Sequence, residues 1–169
     1  NKIIEDGYLT ADINLNFDNK GKITEDYEIK GFIKKGKLNI LNKHSVKDLS
    51  FIFNIKNKEY LLRDIDGIFN EVKLLSPSIK IKEKNNYFLV NGKLLSKNDS
   101  SNTEILIKLL KKNYKNIGIE SIKFSSENKF TFALSKKFKI SNFNLESKID
   151  LDSLFYKKNL LNINKFLPK

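Results

Sequence analysis

The stretch VKDLSFIFNIKNKEYLLRDIDGIFNEVKLLSPSIKIKEKNNYFLVNGKL, residues 46–94, decides the fold. Apolar side chains recur at Leu49, Phe51, Phe53 and Ile55, with Ser50, Asn54 and Lys56 on the alternate positions. The same period of two returns at Phe88, Val90 and Leu94, separated by Leu89, Asn91 and Lys93. A pleated strand sends successive side chains to opposite faces, so this rhythm makes one greasy face and one wet face. The breaks between strands are short. Asn57-Lys58 has the length of a tight hairpin loop, and Asn70-Glu71 and Lys84-Asn85-Asn86 also turn the chain. Leu61, Ile65 and Phe69 mark one further strand face. Pro77 has no N–H to donate, so it marks an edge, a bulge or a break between the patterns at 72–75 and 79–81.

Working outward, the N-terminal side repeats the rhythm. Leu9, Ala11, Ile13, Leu15 and Phe17 share a face, and Thr10, Asp12, Asn14 and Asn16 share the other. Asp18-Asn19-Lys20-Gly21 is a turn signal, since Asn and Gly accept positive φ at low cost. In 26–41, Tyr27, Ile29, Gly31 and Ile33 alternate; the phase then slips by one at Lys34-Lys35-Gly36 and resumes at Leu38 and Ile40. Such a slip is produced by a β-bulge or by a tight hairpin.

On the C-terminal side, Ser101-Asn102-Thr103-Glu104 fits a capping box. Ile105, Leu106, Leu109 and Leu110 gather on one side of the helix it would open, with Lys108, Lys111, Lys112 and Lys115 around them. The expectation is an amphipathic helix over 101–116, stopped by Gly118, that docks on an edge or end of the sheet; a membrane-surface helix is the sharper alternative. Strand patterns return at 119–124 and at 129–134 (Phe130, Phe132, Leu134), with a turn at 125–128. They continue through Phe143, Leu145, Ile149 and Leu151, and past Asp152 the residues 153–158 read as a short helical turn. The predicted fold is mostly β: an antiparallel meander of about nine or ten strands with one inserted amphipathic helix, in a single domain over 1–169. No βαβ rhythm is present, which argues against a parallel sheet.

Composition bounds the function. With 169 residues and a hydrophobic fraction of 40%, the chain can build one core. The net charge of +12 invites a nucleic-acid reading, yet Arg63 is the sole arginine among 32 basic residues. Arginine is the residue that reads base edges and grips phosphates bidentately, and the lysines are dispersed, so nucleic acid is disfavoured. An anionic membrane or lipid headgroup is the other partner that such a charge favours. No Met is present, even at position 1, which suggests a piece of a longer chain. No apolar run approaches the ~20 residues needed to cross a bilayer, and no signal segment opens the sequence. The absence of Cys excludes disulfides and thiolate metal sites.

Catalytic machinery is not apparent. His44, the one histidine, sits in a polar turn beside Lys43 and reads as a surface residue. Asp64 and Asp66 would project to one face of a strand, and paired carboxylates can do acid–base work or hold a cation. No nucleophile, phosphate loop or metal spacing accompanies them, so they read as the solvent face of a strand that buries Ile65 and Phe69. The expectation is a protein without enzymatic activity, cofactor or metal. The Phe-rich faces have two readings: a filled core between two packed layers, or a curved sheet whose greasy concave face leaves room for acyl chains. Alternation is the same in both.

The succession of YLLRDIDGIF, VKLLSPSIKI and YFLVNGKL, with the cadence repeated in ISNFNLESKIDLDSL, resembles the AsmA-like family of bacterial envelope proteins. The likeness is one of rhythm over most of the chain. It implies a segment of a long periplasmic rod of curved β-sheet, anchored in the inner membrane elsewhere in its parent chain. It further implies a hydrophobic groove that carries or shields phospholipid acyl chains between inner and outer membrane. The groove candidates are Ile13, Leu15, Phe17, Phe51, Phe53, Ile55, Phe88, Val90, Phe130 and Phe132, each for apolar contact. The expected partner is thus phospholipid or another anionic amphiphile. A structural or adhesive β-sandwich with a filled core is the alternative from another class, and a nucleic-acid-binding module is a third.

Overall fold

A computed structural model describes residues 4–40, 44–69, 72–97 and 119–156. They form eight strands: β1 (Ile4–Phe17), β2 (Ile23–Ile40), β3 (His44–Lys56), β4 (Glu59–Phe69), β5 (Val72–Glu83), β6 (Tyr87–Ser96), β7 (Ile119–Ser135) and β8 (Ile140–Tyr156). They hydrogen-bond in sequence order as one open meander sheet, and β1 through β6 are antiparallel neighbours with defined register. The chain comprises two compact units, the first 1–95 with 127–148 and the second 96–126 with 149–169. The first holds β1 to β6 and the adjoining ends of β7 and β8. In the second, the described parts of β7 and β8 present Ile149, Leu151, Leu154 and Phe155 to solvent.

Eight strands replace the nine or ten expected, for identifiable reasons. Residues 125–128, expected to turn, lie inside β7. Ser and Asn there carry turn propensity, but Glu127 reaches Lys93 of β6 in an ion pair at 2.6 Å, and pairing with a neighbouring strand overrides a weak local preference. Pro77 lies within β5 without breaking it. It is exposed, and the β5–β6 register shifts between Leu75 and Ile79, so the missing donor falls where the ladder is already irregular. β8 extends through Ser153 to Tyr156, where a helical turn was expected. The helix expected over 101–116 lies outside the described residues. Among the described residues no helix is long and apolar enough to cross a membrane.

The phase slip at Lys34-Lys35-Gly36 is a bulge: Lys35 has φ 52°, and the β2–β3 register shifts between Ile33 and Gly36. It has company. Gly7 in β1 (φ 107°), Asp48 in β3 (φ 51°) and Asp64 in β4 (φ 52°) also lie at positive φ. Register shifts cluster beside them, and Pro77 sits opposite Asp64 on β5, between the pairs Arg63–Ser78 and Ile65–Ser76. Each bulge adds one residue, so the apolar set changes phase together: Ile33 to Gly36 and Leu38, Val46 to Leu49, Leu62 to Ile65, Ser76 to Ile79. A single unmatched slip would turn half a strand's apolar side chains to water. Five strands irregular at the same level keep one face apolar on both sides of the line, and bulges bend and twist the strands they interrupt.

The opposite face is ionic. Glu59 binds Lys80 at 3.0 Å and also Lys82, Lys30 binds Glu28 at 2.9 Å, and Asp66 binds Lys73. The Glu59 and Asp66 pairs cross from β4 to β5, whereas Lys30 and Glu28 are neighbours on one face of β2; each is of modest worth.

Candidate functional site

The register collects the apolar residues into transverse rows. One row is Ala11, Gly31, Phe53, Leu62, Ile79 and Gly92; the next is Ile13, Ile29, Ile55, Tyr60, Ile81 and Val90. Leu9, Ile33 and Phe51 form a third, and Leu15 faces Tyr27 beyond. Directly paired residues share a face, so Ile13, Leu15, Phe51, Phe53, Ile55 and Val90 lie on one surface, and Phe17 joins them opposite Ile23. Phe88 is on the same face, opposite Glu83.

β7 and β8 continue it. A Cβ placed on Gly92 would lie 2.7 Å from the Cζ of Phe130, so that ring rests over the glycine. Phe132 stacks with Phe130 at 5.9 Å between centroids and meets Phe143 of β8 at 6.5 Å. The same arrangement occurs at the other end of the row, where the Cζ of Phe53 lies 2.7 Å from the corresponding point on Gly31. Two glycines in the apolar phase each receive an aromatic ring from the next strand, which lays the ring along the sheet rather than upright. Phe53 also meets Phe51 edge-on at 6.2 Å.

Burial along the rows is uneven. Val46, Phe53, Ile65, Val90 and Ala133 are the buried apolar residues among those described, and no large side chain is completely enclosed. Phe51, Ile55, Phe88, Phe130 and Phe132 are half-buried. Leu15 is partly open, and Ile13 and Phe17 are about 60% exposed, at 62% and 60%. The face is therefore covered at its middle by its own side chains and bare toward β1. Phe143, Leu145, Ile149 and Leu151 on β8 are bare as well.

The ten candidates named from the sequence share this face with residues not named among them: Leu62, Tyr60, Ile79 and Ile81 in the centre, and the glycines beneath the rings. The signal for Gly92 was available in Phe88-Val90-Gly92-Leu94, because a glycine in the apolar phase marks a close approach. Tyr60 is held above its ordinary pKa by burial, then by the charges of Glu83 and Tyr27.

The polar candidates separate. Asp66 is engaged with Lys73, whereas Asp64 occupies the bulge and is exposed, so the regular strand geometry that would pair them is interrupted. His44 opens β3. Among the described residues no group of three His, Cys, Asp or Glu could hold a metal ion. On the wet face a depression of about 470 Å³ is lined by Asn54, Lys56, Asn57, Glu59, Leu61 and Lys80. Glu59 has its carboxyl lowered to about 2 by hydrogen bonds from Lys82 and Lys80. Asn54 donates Nδ2 to Glu28 at 3.3 Å, and its Oδ1 is buried without a partner.

No protein-family model, curated protein or solved structure matches the chain.

Proposed function

We propose that this chain is a segment of a bacterial envelope protein whose apolar β-face carries or shields phospholipid acyl chains between inner and outer membrane. The observation that supports this most is the continuous apolar face of the first unit, half-buried at Phe51, Ile55, Phe88, Phe130 and Phe132 and bare at Ile13 and Phe17. Acyl chains are uncharged, need no directed hydrogen bond and gain from any apolar surface withdrawn from water. The rings laid over Gly31 and Gly92 give such chains a smooth floor. A line of bulges supplies a physical means of bending the sheet into a groove. The resemblance of strand rhythm to the AsmA-like family adds the periplasmic setting and the inner-membrane anchor of the parent chain. A filled β-sandwich requires a second apolar layer, and the described strands all belong to one sheet.

Native mass spectrometry with lipid extraction on the purified chain tests the reading. Co-purifying phospholipid, lost in the double variant Phe53→Asp/Phe132→Asp while an ionic-face variant such as Lys30→Ser retains it, is the expected result. A folded, lipid-free monomer that takes up no phospholipid from vesicles would overturn it.

A further inference from the structure

In a meander the β1–β2, β3–β4, β5–β6 and β7–β8 turns fall at one end of the sheet, and all four belong to the first unit. The last is Ser135-Lys136-Lys137-Phe138-Lys139. Ser135 N–H donates to the Lys139 carbonyl at 2.9 Å, Phe138 N–H donates to the Ser135 carbonyl at 2.9 Å, and Lys139 N–H donates to Ser135 Oγ at 3.0 Å. The loop is thus closed on itself, with Phe138 in the left-handed position at φ 57°. Three-residue hairpins reserve that position for Gly or Asn, and a bulky residue there carries backbone strain. Phe138 gains no burial in return, being 70% exposed between three lysines.

Two other tips at this end of the sheet, β1–β2 and β5–β6, also set exposed apolar residues beside lysines, whereas Lys58 of the β3–β4 tip is engaged by Glu25. Phe17 and Ile23, 60% and 51% exposed, flank the turn that carries Lys20 and Lys22, and the half-exposed Tyr87 follows Lys84. We infer that this hairpin end docks on an anionic phospholipid surface, with Phe138 inserted among the headgroups and the tip lysines on the phosphates. Charge complementarity commits the site to that occupant: lysine is a strongly hydrated point charge suited to headgroup phosphates, and exposed aromatic rings beside lysines suit the bilayer interface. The inference goes beyond acyl-chain carriage and stands without it, because it uses the end of the sheet rather than its apolar face.

The test is co-sedimentation of the full chain with phosphatidylcholine vesicles containing phosphatidylglycerol, against vesicles of phosphatidylcholine alone. Binding should require the anionic lipid and weaken with salt. Phe138→Gly should weaken it about tenfold while leaving the melting temperature equal or higher, since glycine relieves the strained position. Lys136→Ser/Lys137→Ser/Lys139→Ser should weaken it about a hundredfold. Phe138→Gly should leave the phospholipid count in native mass spectra unchanged, whereas Phe53→Asp/Phe132→Asp should abolish that count and leave vesicle docking intact, which separates the two readings. Docking unaffected by Phe138→Gly, a lowered melting temperature in that variant, or capture of a single-stranded oligonucleotide in preference to vesicles would each overturn the inference.

Discussion

Gly31 and Gly92 occupy equivalent places in the same row, each under a phenylalanine ring, yet an added methyl group should have different consequences at the two. A Cβ on Gly31 would lie 2.1 Å from the Thr10 carbonyl oxygen and 2.9 Å from Ala11 Cα, both backbone atoms of β1, besides 2.7 Å from Phe53. The β1–β2 ladder must therefore move. A Cβ on Gly92 meets only side chains, Phe130 at 2.7 Å and 3.1 Å and Ile79 at 2.9 Å. Overpacking costs about 1–3 kcal/mol, and replacing glycine recovers about 0.4–1 kcal/mol from the unfolded chain. Gly31→Ala should thus lose about 2 kcal/mol, near the top of the net range, and Gly92→Ala no more than about 1 kcal/mol. Urea unfolding gives both values, and amide exchange should show β1 opening first in Gly31→Ala. The second variants sharpen the contrast: Phe130→Leu should reduce the remaining cost of Gly92→Ala, whereas Phe53→Leu should leave the cost of Gly31→Ala in place. Equal losses at the two glycines, or rescue of Gly31→Ala by Phe53→Leu, would refute the register on which the apolar face depends.

Other consequences can be checked with the same material. Val90→Ala should cost about 2 kcal/mol in urea unfolding, because the side chain is 6% exposed, whereas Ile13→Ala, at 62%, should cost under about 0.5 kcal/mol. Glu59 has a folded pKa of about 2 against an ordinary 4.5, so its contribution is present above that ordinary value and is lost as pH falls from about 4.5 toward 2. Glu25, Glu28 and Glu127 are lowered in the same direction by Lys58, Lys30 and Lys93. Acid unfolding should therefore begin below pH 4.5, and Glu59→Gln should flatten that limb without abolishing it.

The strand character of the chain was legible because period-two alternation is imposed by the pleat itself and survives in Leu9 to Phe17 and in Phe51 to Ile55. Tight turns were legible where their residues have a mechanism. Asp18 accepts from the amides of Lys20 and Lys22, and Asn57 and Lys58 both take positive φ, as a two-residue hairpin requires. The slip at Lys35 was visible as a bulge or a hairpin; only the pairing partner across β3 distinguishes them. At Asp48, Asp64 and Pro77 the bulges were hidden, since aspartate and proline are also ordinary turn residues. Their alignment across strands is a property of register, which a single sequence does not state. Residues 125–128 misled for the converse reason: four polar residues in succession inside a long strand look like a turn until Glu127 is seen bound to Lys93 of the neighbouring strand. The candidate residues could be read strand by strand, but their union into one face required the pairings, and the glycines beneath Phe53 and Phe130 required the rings.

Photo-crosslinking tests acyl-chain contact most directly. A benzophenone amino acid placed at Ile55, Phe88 or Phe132 on the apolar face, or at Lys30, Asn91 or Lys82 on the ionic face, would be irradiated with the chain mixed with radiolabelled phospholipid. Carriage of acyl chains by the apolar face predicts phospholipid adducts at the first three positions and none at the second three. Equal labelling of both faces, or no labelling at Ile55, Phe88 and Phe132 in a folded chain, would contradict it.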